Sequence, residues 1–347
     1  MYVEPGLLGR LGQLVDQHLP GRRVAMIADA TVLQLYRAGR LGPAAWTGDT
    51  FTIPPGETSK TRDSWARLTD ELLERRFGRD SALITLGGGV TGDLAGFVAA
   101  TYMRGLPYLQ VPTTLLAMLD ASVGGKTGVD TPLGKNLIGA FHPPTAVLTD
   151  PLTLRTLPER EYRGGLAEAV KHGLIADRAY FEWMEAEAPA LRRRDPATVT
   201  RLVRRSVEIK AEVVSGDERE TGRRAILNVG HTVAHALEQV SRYGLPHGEA
   251  VALGLIAESE LAERLGIAPP GLRQRVAALV AGLGLPERLP GPLEPQALLG
   301  SMATDKKNRG SRIRFALVSG LGRVEEVDGW TTSVSEDLIL KAMGAIQ

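Results

Sequence analysis

The chain has 347 residues, 43% of them hydrophobic and 23% charged, with a formal net charge of +1. That is room for two domains with cores of their own, and the even charge argues against nucleic acid or an anionic membrane surface as a partner. Cysteine is absent, which excludes disulfides and thiolate metal ligands.

No apolar run reaches the ~18 residues of a membrane helix. The opening MYVEPGLLGRL lacks the basic start and long apolar stretch of a secretion signal, so a cytoplasmic location is expected. Residues 24–28 (VAMIA) form an apolar run ending at Asp29, the pattern of a buried strand. Residues 51–53 close a second strand before the turn Pro54-Pro55-Gly56. From 58 to 76 the spacing predicts a helix with Trp65, Leu68, Leu72 and Leu73 on one face. Another buried strand, 82–86, runs into Gly87-Gly88-Gly89-Val90-Thr91-Gly92-Asp93 and an apolar helix over 94–102. Strands alternating with helices in this way predict a mostly parallel α/β sheet.

The glycine run satisfies G-x-G-x-x-G between strand and helix, which suits a phosphate-containing cofactor lying against backbone N–H groups. It is not on the first strand, however, and no acidic residue ends the next strand, near Gln110 and Val111. Asp29 and Glu57, at other strand ends, are the candidates for holding a ribose. A helix is predicted from Thr113 and Thr114 to Asp120. Beyond it, Gly124-Gly125-Lys126 and Gly134-Lys135-Asn136 read as the two ends of a hairpin. Two ammoniums on glycine turns suit an anionic ligand, although the Walker A spacing is absent.

After residue 150 the strand signal fades. Helices are predicted at 158–175, 178–190, 196–215, 222–242, 248–265 and 270–283, then a short hairpin of 314–318 with 323–327. Glu168 and Lys171 stand i, i+3 among Leu166, Ala167, Ala169 and Val170. Such apolar neighbours imply a buried pair rather than a surface ion pair. His231 and His235, at i, i+4, share a helix face, and His247 follows Gly244 and Pro246, where that helix must end. On residues alone, these three of six histidines are a candidate zinc-type site. HTVAH is not the HExxH of metalloproteases, because Thr232 stands where the general base belongs. Of 41 basic residues only eight are lysine, and six of those fall in or beside these motifs. A retained lysine marks a place that needs a compact, titratable ammonium.

Several stretches then resemble, in order and over nearly the whole chain, motifs of the 3-dehydroquinate synthase family. They are PPGETSK at 54–60, GGGVTGDLAGFVAATYMRG at 87–105, VPTTLLAMLDASVGGKTGV at 111–129, GKNLIGAF at 134–141, LPEREYRGGLAEAVKHG at 157–173, ERETGRRAILNVGHTVAHALE at 218–238, HGEAV at 247–251 and DKKNRG at 305–310. The resemblance implies an α/β fold. A Rossmann-like, parallel-sheet NAD-binding domain would span 1–150 and an all-helical metal- and substrate-binding domain 151–347, with the active site in the cleft, in a homodimer. It implies Glu168, His231 and His247 as ligands of a divalent zinc or cobalt ion, which moves His235 to the substrate. NAD would lie on Asp29, Glu57, Lys60, Gly88, Gly89, Val90, Asp93, Thr113, Thr114, Lys126, Lys135, Thr153 and Thr156. Substrate would meet Arg104, Asp120, Lys126, Asn136, Lys171, Lys210, Arg224, Asn228, His235 and Lys306. The implied substrate is a sugar phosphate, 3-deoxy-D-arabino-heptulosonate 7-phosphate, taken through oxidation, phosphate elimination, reduction, ring opening and aldol closure. Sister sugar phosphate cyclases of the aminodehydroquinate or valiolone type, and metal-dependent polyol dehydrogenases, are the alternatives. The chain departs from the family pattern at Asp130, which stands for the usual Asn, Pro143 for Gln and Ala234 for Gly, and residues 29–31 (DAT) match the family's adenosine-side segment only loosely.

Overall fold

Apolar runs without polar alternation need cover on both faces of a sheet. The computed structural model, which describes residues 1–44, 46–217, 222–292, 294–303 and 313–347, supplies that cover. The chain divides into two compact units, Met1–Pro158 with Val199–Val207, and Glu159–Thr198 with Glu208–Gln347.

In the first unit the strands are β1 (Tyr2–Val3), β2 (Arg23–Asp29), β3 (Thr50–Ile53), β4 (Ser81–Gly87), β5 (Tyr108–Pro112), β6 (Lys126–Thr131), β7 (Gly134–Phe141) and β8 (Ala146–Thr149). Six of them make a parallel sheet in the order β1-β8-β5-β4-β2-β3. Its helices are α1 (Leu11–His18), α2 (Ala30–Arg37), α3 (Arg62–Glu74) and α4 (Gly89–Thr101). Leu11 and Leu14 of α1 and Leu33 and Tyr36 of α2 pack with Met26, Ile84 and Leu109 on one face of the sheet. Leu68 and Leu72 of α3 and Leu94 and Val98 of α4 pack with Ile27, Leu83 and Tyr108 on the other. The predicted helix over 58–76 is a 3-10 turn, Glu57–Ser59, then α3, with Lys60 between them. The predicted helix from Thr113 to Asp120 contains a π-helical turn, Ala117–Ala121. β6 and β7 form the antiparallel hairpin, with the two Gly-Lys turns at opposite ends of β6.

The second unit is built on α5 (Glu159–Ala176), α6 (Arg178–Arg192), α7 (Pro196–Ser215), α8 (His231–Val240), α9 (His247–Arg264), α10 (Leu272–Gly282), α11 (Pro295–Ala303) and α12 (Glu336–Met343). The Val199–Val207 stretch of α7 groups with the first unit. Both α5 and α9 are buried along most of their length. They cross at glycines: a Cβ on Gly248 would lie 2.2 Å from Gly164 Cα. The predicted helix over 222–242 is broken. A 3-10 turn, Arg223–Asn228, precedes Gly230 at φ 83, and α8 starts only at His231. Four short strands also belong here, β9 (Arg314–Phe315), β10 (Val318–Gly320), β11 (Arg323–Val324) and β12 (Thr332–Ser333). In place of the predicted single hairpin, β10 pairs with β11 while β9 pairs with β12. Among the described residues, no helix is long and apolar enough to cross a membrane.

Candidate active site

Within the first unit, sheet order places a candidate cofactor site. From β2 the chain steps outward to β3, then returns to the other side of β2 for β4 and continues through β5. Ligands of open parallel sheets bind at such a reversal, beyond the carboxyl ends of the strands. Here those ends are Asp29 on β2 and Gly87 on β4. That is why the glycine run sits on a later strand than in an ordinary dinucleotide-binding fold. α4 begins at Gly89, and its N-cap, Gly88, supplies no side-chain cap, so the first N–H groups of the helix lack that partner. Side chains are excluded there: a Cβ on Gly88 would lie 2.9 Å from Thr114 Cγ2, and one on Gly92 2.3 Å from Gln110 Nε2. Nearby, Thr113 donates its N–H to the Gly87 carbonyl at 2.9 Å. Its buried Oγ1 has no hydrogen-bond partner among the described residues. A bare cradle, an uncapped helix start and an orphaned hydroxyl fit a dinucleotide diphosphate.

Charged groups flank this cradle. Lys60, 3% exposed, donates to Asp93 Oδ2 at 2.5 Å and to Asn136 Oδ1 at 2.6 Å. Glu57 Oε1 lies 4.0 Å from Lys60 Nζ and 3.9 Å from Lys135 Nζ. Burial raises the Glu57 carboxyl against the pull of these ammoniums, and Asp130 beside it adds to the rise. Asp29 uses Oδ1 to cap α2, accepting from Thr31 and Val32. Thr153 donates to the Asp150 carbonyl and Thr156 to the Thr153 carbonyl. Arg104 has φ 67 in a 3-10 turn, Asp120 lies on the π-helical turn and Lys126 opens β6.

A separate candidate site, for a metal ion, lies within the second unit. Glu168, on α5, is fully buried. Nε2 of His231, the first residue of α8, and Nε2 of His247, the first residue of α9, each stand 3.3 Å from Glu168 Oε1. One ligand atom from each residue lies within 4.8 Å of the others. The far ring nitrogens are occupied. His231 Nδ1 lies 3.2 Å from the Val229 carbonyl, and His247 Nδ1 lies 3.4 Å from Glu238 Oε2. Such contacts hold the rings with Nε2 inward and unprotonated when an ion is present. Two imidazoles and a carboxylate are the donor set of a catalytic zinc-type site.

Burial alone would raise Glu168, but the Lys171 ammonium against its Oε2 and the two imidazoles hold it well below the usual range. Burial, then Lys171, drives His231 down to about 4. At His247 burial acts the same way, but Glu168 and Glu238 overcome it and push the ring up to about 10. His235 stacks edge-on against His231 at 5.4 Å between ring centroids but stands outside the three-residue group. Lys210 and Arg224 are buried, on α7 and the 3-10 turn that also carries Asn228. Lys306 lies outside the described residues.

Family models for the 3-dehydroquinate synthase N-terminal and C-terminal parts match residues 50–164 and 165–308. A 3-dehydroquinate synthase of Nitrosomonas europaea is 46% identical over 99% of this chain and 93% of its own. The chain belongs to the 3-dehydroquinate synthase family. Solved sugar phosphate cyclases are similar throughout. A 2-deoxy-scyllo-inosose synthase complexed with carbaglucose-6-phosphate, NAD+ and Co2+ matches with a TM-score of 0.87 and 26% identity over 98% of this chain and 94% of its own. A 2-epi-5-epi-valiolone synthase from Streptomyces hygroscopicus with NAD+ and Zn2+ bound matches with a TM-score of 0.85 and 29% identity over 99% and 94%.

Two acidic residues escaped sequence reasoning: Glu238, which meets His247 Nδ1, and Glu258, which accepts the Gly230 and Val233 N–H groups. Glu238 lies three residues after His235 and Glu258 eleven after His247, spacings that return each to its histidine's helix face. That spacing was the available signal.

Proposed function

We propose that this chain converts 3-deoxy-D-arabino-heptulosonate 7-phosphate to 3-dehydroquinate and inorganic phosphate, in the cytoplasm and as a homodimer. The observation that carries the reading is the Glu168, His231 and His247 group in a chain 46% identical, end to end, to a 3-dehydroquinate synthase. When bound, NAD supplies a hydride acceptor regenerated within each turnover, and zinc or cobalt supplies Lewis acidity. Residues 1–150 serve as the NAD-binding domain and 151–347 as the metal- and substrate-binding domain.

The chain's own residues then bind, orient and hold charge. Asp29 and Glu57 receive ribose hydroxyls. The N–H groups of Gly88, Gly89 and Val90, with Thr113 and Thr114, hold the diphosphate. Lys60, Asp93, Lys126, Lys135, Thr153 and Thr156 complete the dinucleotide's surroundings. Glu168, His231 and His247 hold the ion, with Lys171 keeping Glu168 ionised. Lys210 and Arg224 pair with the substrate carboxylate. Lys126, Asn136, Asn228, His235 and Lys306 donate to the leaving phosphate and take up its growing charge as its bond breaks. The phosphate itself accepts the proton removed in elimination, so the chain need not supply a separate base. Arg104, Asp120 and Lys171 meet the remaining polar groups of the substrate.

A second copy is supported by β7 and its turn, which expose Leu133 (92%), Leu137 (41%), Ile138 (38%) and Phe141 (61%). An exposed apolar strand of this kind invites pairing. The test of the reaction is phosphate release from the heptulosonate phosphate with trace NAD and added zinc. One phosphate per substrate without accumulating NADH is expected. NADH rising in step with substrate would identify a polyol dehydrogenase instead. Silence in both channels, with NAD and ion bound, would identify a sister cyclase with another sugar phosphate.

A further inference from the structure

The start of α8 poses a problem of its own. A helix leaves its first N–H groups without internal partners, and they need acceptors from elsewhere. α8 starts at His231, behind Gly230, which has no side chain and sits at φ 83. The acceptors come from another helix. Glu258 Oε2 accepts the Gly230 N–H at 2.6 Å, and Glu258 Oε1 accepts the Val233 N–H at 3.2 Å. Glu258 is 1% exposed. A carboxylate at this depth is stabilised by the positive end of the helix it caps.

The helix that carries this carboxylate is α9, which begins with His247. Between His247 and Glu258, Gly254 presses on the same turn: a Cβ there would lie 2.0 Å from the Gly230 carbonyl oxygen. One rigid helix thus presents a ligand at its start, touches the backbone beside the second ligand, and clamps that backbone from its next turn. We infer that Glu258 is a positioning residue for the metal group, fixing the 230–233 turn so that His231 Nε2 meets Glu168 Oε1 at the same 3.3 Å as His247 Nε2. This rests on the reading of Glu168, His231 and His247 as the ligands. Glu258 acts through the backbone on either side of His231, by its bonds to the Gly230 and Val233 N–H groups.

Full-length protein stripped of metal and reloaded tests it, with zinc affinity measured by competition against a chromophoric chelator and the visible bands of the cobalt form recorded. Glu258→Gln keeps one acceptor oxygen, and Glu258→Ala keeps none. Zinc affinity is expected to fall about tenfold in the first and about 10–100-fold in the second. The cobalt bands should shift, while the far-ultraviolet circular dichroism stays that of the parent. Folded variants with parental affinity and unshifted bands would overturn the inference and leave Glu258 a plain helix cap. If the alanine variant fails to fold, the glutamine variant decides alone. His231→Ala is the control: parental zinc affinity there would overturn the ligand reading, and the inference with it.

Discussion

Asp130 shows how one changed side chain can be absorbed into a network. Its N–H donates to the Lys60 carbonyl at 2.8 Å, its Oδ1 accepts the Asn136 N–H at 2.9 Å, and Asn136 Oδ1 returns to Lys60 Nζ at 2.6 Å. The ring holds Asn136 at φ 55, a conformation that asparagine tolerates better than most residues. With its oxygen already accepting from Lys60, Asn136 offers a ligand chiefly its two NH₂ donors. Asp130→Asn preserves the acceptor and should leave KM for the sugar phosphate within about twofold. Asp130→Ala removes it and should raise KM about tenfold, the scale of one lost hydrogen bond, with a smaller fall in kcat. Steady-state kinetics separate the two, and an equal loss in both constants would contradict the assignment. Another carboxylate carries a pH dependence. Hydrogen bonds from Arg23 and Arg75 hold Asp49 below its ordinary value of 3.8. Its contribution is complete above that value and is lost as pH falls through the lower folded one. Being partly exposed, it falls in the ~0.2–1 kcal/mol range of surface pairs. Denaturant titrations of Asp49→Asn between about pH 2 and 5 should show a flatter loss of stability toward acid than the parent. At this scale the retained lysines stood out in the sequence because lysine is rare here; Lys60, Lys171 and Lys210 are buried, whereas Lys126 and Lys135 are exposed. Glu238 and Glu258 did not, because acidic residues are common and a shared helix face with a histidine is too weak a signal to pick them out.

Elements were legible where periodicity is long and unbroken. The helices α5, α6 and α7 fall within a few residues of expectation, as do the buried strands β2 and β4. Failures came where backbone geometry changes without a change in apolar pattern. Gly230 breaks the segment over 222–242 because its left-handed φ suits glycine alone, while Ile226, Val233 and Leu237 continue the apolar spacing across the break. Two-residue strands such as β9 and β12 carry too little pattern to read. For α9, substituting Gly254 with Ala should gain helix propensity of about 1 kcal/mol yet lose more, since the new Cβ meets a backbone oxygen that no rotamer can move. Calorimetry of Gly254→Ala should find Tm lower by roughly 3–10 °C. A rise in Tm would mean that the helices separate more easily than their contact implies.

At the scale of the molecule, the parallel sheet was readable from alternation, but its reversal was not. Strand order depends on crossovers, and nothing local distinguishes a step outward to β3 from a return to β4. All three metal-group residues lie in the unit of Glu159–Thr198 and Glu208–Gln347. Chelation should therefore lower the unfolding temperature of that unit alone. An ion at 100 times its Kd is worth about 2.7 kcal/mol to whichever unit holds it, so a calorimetric scan with and without chelator should move one transition and not the other. The sheet's edge adds a constraint of time. Tyr2 and Val3 pair in parallel with Leu148 and Thr149, and Asp150 accepts the N–H groups of Gly6 and Leu8. At ~5–20 residues per second of synthesis, those first residues wait on the order of ten seconds for their partners to be made. The inner strands can assemble during that wait, so on the ribosome Tyr2 and Val3 are among the last of the sheet to find their place.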